Sequence, residues 1–200
     1  MTWLSEIQLV GDFITLKPLK MAHIEGLKEA VLDGELWKLW YANVPSPDDM
    51  EKYVRKAFAS VKRESLVFTI SQNSTAKIVG TTRYYDVDSV NRRAKIGYTW
   101  YANSVQRTAM NTECKYLLLR NLFEDNNAIA VEFRTHFFNQ VSRTAIERLG
   151  AKQDGILRNY MITPDSSIRD TVVYSIIISE WLSVKNNLLD KLNNMKSMHN

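Results

Sequence analysis

The sequence contains only one cysteine, four prolines and seven glycines in 200 residues. The single cysteine, Cys114, excludes an internal disulfide framework and any zinc site built from several cysteines. The three histidines, His23, His136 and His199, are scattered, and no H-E-x-x-H pattern occurs. We therefore expect no metal site.

Long hydrophobic runs are also absent. The longest run, Val172 to Ile178, is interrupted by Tyr174 and Ser175 and is much shorter than the roughly 20 residues that span a bilayer. The first ten residues lack the basic segment and apolar core of a secretory signal. These features predict a cytoplasmic protein that does not act at a membrane.

The charge balance is modest, with 26 basic against 22 acidic residues and a net charge of +4. The pI of about 9.1 is compatible with nucleic-acid binding. However, the charges are interspersed, and a local basic cluster such as Arg92, Arg93 and Lys95 is short. A solvated surface is the better interpretation, and we expect no nucleic-acid partner.

The chain shows no internal repeat and no Pro/Gly-rich linker. Its 45% hydrophobic and 24% charged residues are typical of a globular protein. We therefore predict a single domain over residues 1–200, with a core at about 9–180 and a C-terminal helix at 180–196.

Hydrophobic periodicity predicts an α+β chain with the order β-α-α-βββ-α-β-α-ββ-α. The predicted strands are Phe13–Pro18, Leu66–Ile70, Ile78–Tyr85, Ala94–Tyr101, Ala128–Thr135, Ile156–Ile162 and Thr171–Ile178. The predicted helices are His23–Leu32, Pro47 to about Lys62, Ala109–Glu124, Val141–Leu149 and Glu180–Met195. Gly150 ends the fourth helix because glycine readily adopts the left-handed cap conformation. Cys114 lies on the apolar face of the third predicted helix, and we interpret it as a small buried side chain rather than a nucleophile.

The strand that ends at Tyr101 is followed by a loop and by the start of a helix at Ala109. A helix N-terminus presents unpaired N–H groups that suit a phosphate. The segment is not a P-loop, because G-x-x-x-x-G-K is absent, and no two glycines of the chain lie two positions apart, which excludes a dinucleotide fingerprint. By itself this pattern is more typical of an ordinary capped helix than of a phosphate site.

Further motifs follow in a fixed order along the chain. They are Ile96-Gly97-Tyr98 on the fourth predicted strand, Asn139-x-x-Ser142 at a helix start, Leu149-Gly150-Ala151 at its end, and Asp154-Gly155 beyond it. Together they resemble the GNAT acetyltransferase superfamily, in particular the branch with the bacterial N-terminal acetyltransferases of ribosomal proteins. The resemblance covers about residues 9–180. It implies the GNAT fold, a single mixed, mostly antiparallel sheet with flanking helices, splayed between its fourth and fifth strands.

The resemblance implies an acetyl-CoA-dependent N-acetyltransferase in which a primary amine attacks the thioester directly. Strand-edge N–H groups near Tyr98 to Tyr101 would stabilise the oxyanion, Arg107 and the first helical N–H groups would hold the pyrophosphate, and Asn139 would bind the cofactor arm. The implied cofactor-binding residues are Tyr98, Thr99, Trp100, Tyr101, Gln106, Arg107, Thr108, Ala109, Met110, Asn111, Thr112, Asn139 and Ser142.

Two departures from the family pattern stand out. Ala109 and Asn111 replace small residues of the pyrophosphate loop Gln/Arg-x-x-Gly-x-Gly/Ala, and Ile146 occupies the position of a tyrosine that protonates the departing thiolate in many members. Ser142 is the substitute we expect for this catalytic role. The departures also favour an alternative, a GNAT-fold module that binds CoA with weak or no turnover.

The acceptor amine must lose a proton, and Glu132, Asp170 and Tyr160 are candidate bases. Glu132 and Arg134 share a strand face and are better explained as an ion pair, and Asp170 beside Arg169 suggests a surface pair. His136 follows the fifth predicted strand, where it could approach the cofactor, but a loop histidine without a role is the interpretation we favour.

Trp37 and Trp40 are three positions apart and would share one face of a helix. Both are candidates for the core, but the polar residues around them also fit a half-exposed aromatic rim that contacts the acceptor. Because few carboxylates lie nearby, we expect a peptide or protein N-terminus as acceptor rather than a polycationic drug.

Overall fold

The computed structural model describes residues 3–61, 65–163 and 165–197. The strands are β1 (Leu9–Val10), β2 (Ile14–Pro18), β3 (Leu66–Gln72), β4 (Ile78–Asp88), β5 (Arg93–Tyr101), β6 (Ala130–His136), β7 (Lys152–Ile162) and β8 (Ile168–Ile177). The helices are α1 (Ile24–Leu32), α2 (Met50–Val61), α3 (Ala109–Arg120), α4 (Gln140–Leu149) and α5 (Ile178–Ser197). The predicted end of the second helix, Lys62, lies outside the described residues.

One eight-stranded sheet has the order β1-β2-β3-β4-β5-β6-β8-β7. Neighbouring strands pair antiparallel except β5 and β6, which pair in parallel across the α3 crossover. The predicted mixed, mostly antiparallel sheet with flanking helices is therefore confirmed. The two-residue strand β1 was not predicted, because two residues are too few to show an alternating pattern.

The helices cover both faces of the sheet. On β4, Arg83 donates from Nη2 to the Tyr53 hydroxyl of α2 at 2.9 Å, whereas the hydroxyl of Tyr84 donates to the Leu118 carbonyl of α3 at 2.8 Å. Because successive strand residues point to opposite faces, α2 and α3 lie on opposite sides of the sheet. We call them the α2 face and the α3 face. Helix α1 packs against α2 and β4, and α5 packs against α3.

Helix α3 carries the core of the α3 face. Cys114, Leu117 and Leu118 are buried, so the prediction for Cys114 is confirmed, and burial raises the pKa of its thiol. The predicted helix to Glu124 is α-helical only to Arg120 and continues as a π-helical turn over Asn121–Asp125.

Other local predictions are also met. Gly150 caps α4 with a φ of 105°, in the left-handed region that glycine adopts without strain.

No helix among the described residues is long and apolar enough to cross a membrane.

Candidate functional site

A gap opens in the sheet between β5 and β6. The two strands pair only at Arg93–Ala130, Ala94–Val131 and Lys95–Glu132, and β5 then continues to Tyr101 with no strand partner on that side among the described residues. These are the fourth and fifth predicted strands, so the expected splay is present. Because parallel strands run in one direction, the loops after β5 and β6 lie at the same edge, and α3 and α4 begin on either side of the gap.

Strand β5 bends at the gap. Its register against β4 shifts between Gly97 and Trp100, and Tyr98 adopts a left-handed φ of 51°. A bulge of this kind interrupts the ladder and redirects neighbouring backbone groups. Gly97 is required here, because a Cβ atom at this position would lie 2.8 Å from the Tyr85 ring. The bulge therefore places irregular backbone at the point where β6 leaves.

The loop after β5 leads into the first turn of α3. The Gln106 side-chain amide donates to the Tyr101 carbonyl at 3.1 Å, and Thr108 caps the helix by accepting from the Met110 N–H at 3.3 Å. Arg107 is exposed and left-handed, with a φ of 60°.

Neither Ala109 nor Asn111 has a positive φ. These two substitutions in the pyrophosphate loop thus occupy backbone conformations that any residue adopts. The N–H groups of this first helical turn form a suitable place for an anion.

A buried lysine contacts the bulge from the α3 face. Lys115 donates from Nζ to Thr99 Oγ1 at 2.8 Å, and the Thr99 hydroxyl also contacts the Thr82 hydroxyl at 2.8 Å. Lys115 forms no ion pair with a described carboxylate, and burial lowers its pKa. Sequence analysis missed it, although a lysine between Cys114 and Leu117 on an apolar helix face was a usable signal.

The start of α4 lies on the other side of the gap. Asn139 is the N-cap, and its Oδ1 accepts from the Ser142 N–H at 3.0 Å. The Ser142 side chain is partly exposed, and within the described chain its hydroxyl has no hydrogen-bond partner. Ile146 is buried in the core, and its hydrocarbon side chain cannot donate a proton.

The α2 face of the gap is lined by aromatic and charged side chains. The guanidinium of Arg83 lies 4.1 Å from the Tyr98 ring centroid, and the rings of Tyr85 and Tyr98 meet edge to face at 5.2 Å. Burial raises the pKa of Tyr85. Sequence analysis missed Arg83, a charged residue that is buried together with its neighbours on β4.

The candidate bases are engaged by arginines. Arg134 donates to Glu132 Oε1 and to the Tyr160 hydroxyl, each at 2.5 Å, so the expected Glu132–Arg134 ion pair is confirmed. The expected Arg169–Asp170 pair is wrong. Asp170 pairs with Arg158 at 2.7 Å, because neighbours along a strand point to opposite faces.

The two tryptophans do not share a helix face as expected. The 3₁₀ turn Leu36–Lys38 ends before Trp40, so Trp37 packs against the core while Trp40 is 61% exposed. Trp40 lies edge-on to His136, with ring centroids 5.1 Å apart. The expectation of a loop histidine is also wrong, because His136 is buried as the last residue of β6, where β8 pairing holds it.

The structure thus groups the implied cofactor residues on two arms, with Tyr98 to Thr112 on one side of the gap and Asn139 with Ser142 on the other. Trp40 lies at the end of β6, and Trp37 is partly buried against the core. Among the residues described, no group of three or more His, Cys, Asp or Glu side chains is placed to hold a metal ion.

Comparison with known proteins gives consistent results. Residues 14–152 match the family model of the acetyltransferase (GNAT) domain. The chain is 25% identical over 182 residues to a Bacillus subtilis (strain 168) protein described as "Putative ribosomal N-acetyltransferase YdaF", covering 86% of this chain and 95% of the relative.

Many solved structures share the fold, including two acetyltransferases. A GCN5-related N-acetyltransferase from Brucella melitensis superposes with a TM-score of 0.85 at 24% identity, over 96% of this chain and 87% of that one. RimL, a ribosomal L7/L12 alpha-N-protein acetyltransferase in complex with coenzyme A, gives a TM-score of 0.72 at 17% identity, over 86% and 98% of the two chains. Identities at this level show the fold alone.

Proposed function

Because the chain belongs to the acetyltransferase (GNAT) family, an acyltransferase family, we propose that it moves the acetyl group of acetyl-CoA to a primary amine at a peptide or protein N-terminus. The observation that carries this proposal is the gap between β5 and β6, with the bulge at Tyr98 and the start of α3 at its edge. YdaF and RimL, by their names, act on ribosomal proteins, which supports a protein acceptor.

The residues at the gap fit an acetyl thioester and a pyrophosphate. The edge of β5 from Ile96 to Tyr101 has backbone groups that no described strand pairs, and they would hold the thioester carbonyl and stabilise its developing negative charge. Arg107 and the N–H groups of Ala109 to Thr112, apart from the Met110 N–H that already donates to Thr108 Oγ1, would hold the pyrophosphate. Bound there, acetyl-CoA supplies an acetyl group already activated as a thioester.

The α4 arm supplies side-chain donors. Because Asn139 Oδ1 already accepts from the Ser142 N–H, the amide NH₂ is the group left to bind the cofactor arm. The Ser142 hydroxyl is free to donate its proton to the thiolate sulfur when the carbon–sulfur bond breaks.

A carbon–nitrogen bond forms as the amine attacks, and the ammonium proton must leave. Glu132 and Tyr160 each bind Arg134, and Asp170 binds Arg158, so each candidate base is occupied by an arginine. We therefore propose that solvent water takes this proton.

Trp40 supports a peptide acceptor. It lies with exposed Phe138, their ring centroids 6.1 Å apart, beside the C-terminal end of β6. Exposed aromatic side chains next to a reaction site provide contact area for an extended chain.

The test is acetyl-CoA turnover against peptides, amino acids, polyamines and aminoglycosides, read by mass spectrometry. We expect acetylated peptide N-termini, and a lower rate for Ser142→Ala but not for Ser183→Ala, an exposed serine on α5. CoA binding without turnover of any amine would show the CoA-binding module instead. Turnover of small amines alone would refute the peptide acceptor.

A further inference from the structure

The α2 face of the gap carries arginines that no described carboxylate neutralises. Arg83, Lys95, Arg134 and Arg169 lie on this face among the described residues, and the carboxylates of Asp86 and Glu132 lie with them. Lys95 binds both carboxylates, at 2.8 Å and 3.6 Å, and Arg134 binds Glu132. Arg83 and Arg169 have no carboxylate partner among the described residues.

Arg83 is the buried member of this set. It is 7% exposed, its Nη2 donates to Tyr53, and its buried Nε has no hydrogen-bond partner among the described atoms. A buried guanidinium without a counter-ion is costly, because burial removes the water that stabilises its charge. An anion near this face would offset that cost.

Arg169 is the accessible member. It is partly exposed, and its Nε donates to Thr171 Oγ1 at 3.2 Å on the face that also carries His136, which pairs with Thr171. Arg169 precedes Thr171 by two residues on β8, so it lies on the same face just beyond His136, the last residue of β6. The remaining guanidinium N–H groups thus lie beside the gap.

We propose that the acceptor carries a carboxylate close to its reacting amine, and that Arg169 binds this carboxylate while Arg83 adds positive charge behind the Tyr98 ring. This inference rests on the proposed function, because it assigns the amine to the α2 face. A guanidinium matches the planar, two-oxygen geometry of a carboxylate better than a lysine does. The source we favour is an acidic side chain at the second or third position of a peptide.

The test compares two peptides that begin with serine and continue with either two glutamates or two glutamines. We expect kcat/KM to be about tenfold or more higher for the glutamate peptide, since charge-assisted hydrogen bonds have this size. Arg169→Gln should remove the preference. Arg148→Gln, an exposed arginine on α4 outside this face, should keep it. Raising the ionic strength should weaken the preference.

Equal kcat/KM for the two peptides, or a preference that survives in Arg169→Gln, would overturn the inference. Free serine and serinamide form a second comparison. A preference for serine that Arg169→Gln removes would keep the carboxylate and replace the peptide with an amino acid. If no amine is acetylated, the proposed function fails. In that case calorimetry of both peptides with the CoA-loaded protein tests the inference separately. The inference requires the glutamate peptide to bind more tightly than the glutamine peptide, and equal affinities would overturn it.

Discussion

Glu113 connects the start of the chain to the helix that begins at the candidate cofactor site. Its carboxylate, in a residue that is 3% exposed, accepts from the backbone N–H groups of Asp12, Phe13 and Ile14 at 2.7, 2.8 and 2.8 Å. Glu113→Gln keeps one acceptor oxygen but turns an NH₂ group toward a buried donor. A lost bond to a charged acceptor with an unmatched donor costs about 1.5–3 kcal/mol.

We expect Glu113→Gln to lower the free energy of unfolding by this amount in urea denaturation at neutral pH. In a chain of this length, Tm should fall by about 3–12 °C. Glu113→Ala should cost about 3–5 kcal/mol, because all three N–H groups lose their acceptor. Glu29→Gln, on the exposed face of α1, is the matched control and should stay within about 0.5 kcal/mol.

Gly11 offers an independent check of the same contact. A Cβ atom at Gly11 would lie 2.4 Å from Glu113 Cδ, so Gly11→Ala must displace the carboxylate. In a Glu113→Ala background that space is empty, and Gly11→Ala should cost at least about 1 kcal/mol less. Additive losses in this double-mutant cycle, or a Glu113→Gln variant as stable as the Glu29→Gln control, would refute the reasoning.

Four further predictions concern the gap and its surroundings. Arg107→Ala should weaken CoA binding about tenfold or more in calorimetry and leave pantetheine binding unchanged, because only a phosphate contact is removed. Ser142→Ala should lower kcat about 10²-fold with the Kd for CoA unchanged; a loss in proportion to CoA binding would instead make Ser142 a cofactor ligand. Trp40→Ala should reduce kcat/KM for peptides without lowering Tm, whereas Trp37→Ala, which removes packing against the core, should lower Tm. Lys115→Met should not lower the free energy of unfolding at neutral pH, because it removes a buried ammonium without a described carboxylate partner. Burial lowers the pKa of Lys115, so at alkaline pH the unfolded chain binds more protons than the folded protein. The free energy of unfolding of the wild type should therefore rise with pH up to about 10.5. Urea unfolding at neutral and alkaline pH should show this rise in the wild type and not in Lys115→Met.

Features that depend on neighbouring residues could be predicted from the sequence. The 3.6-residue and two-residue periods located the helices and the longer strands, Gly150 marked the end of α4, and Cys114 was correctly placed in the core. The same periods failed for Trp37 and Trp40, because a three-residue 3₁₀ turn is too short to produce a helical face.

Features that depend on distant residues required the tertiary structure. Glu113 meets Asp12 across 101 positions of sequence, and the Asp170–Arg158 pair depends on strand register rather than on adjacency. The gap is also tertiary, because it exists where β6 leaves β5 after three residue pairs and no local pattern records that departure. Local sequence patterns were sufficient to locate the five α-helices and the longer strands. Only the tertiary structure shows that Arg83 and Arg169 lie on one face of the gap with no carboxylate partner in the described part of the chain. The register of the strands decides which charges far apart in sequence come together.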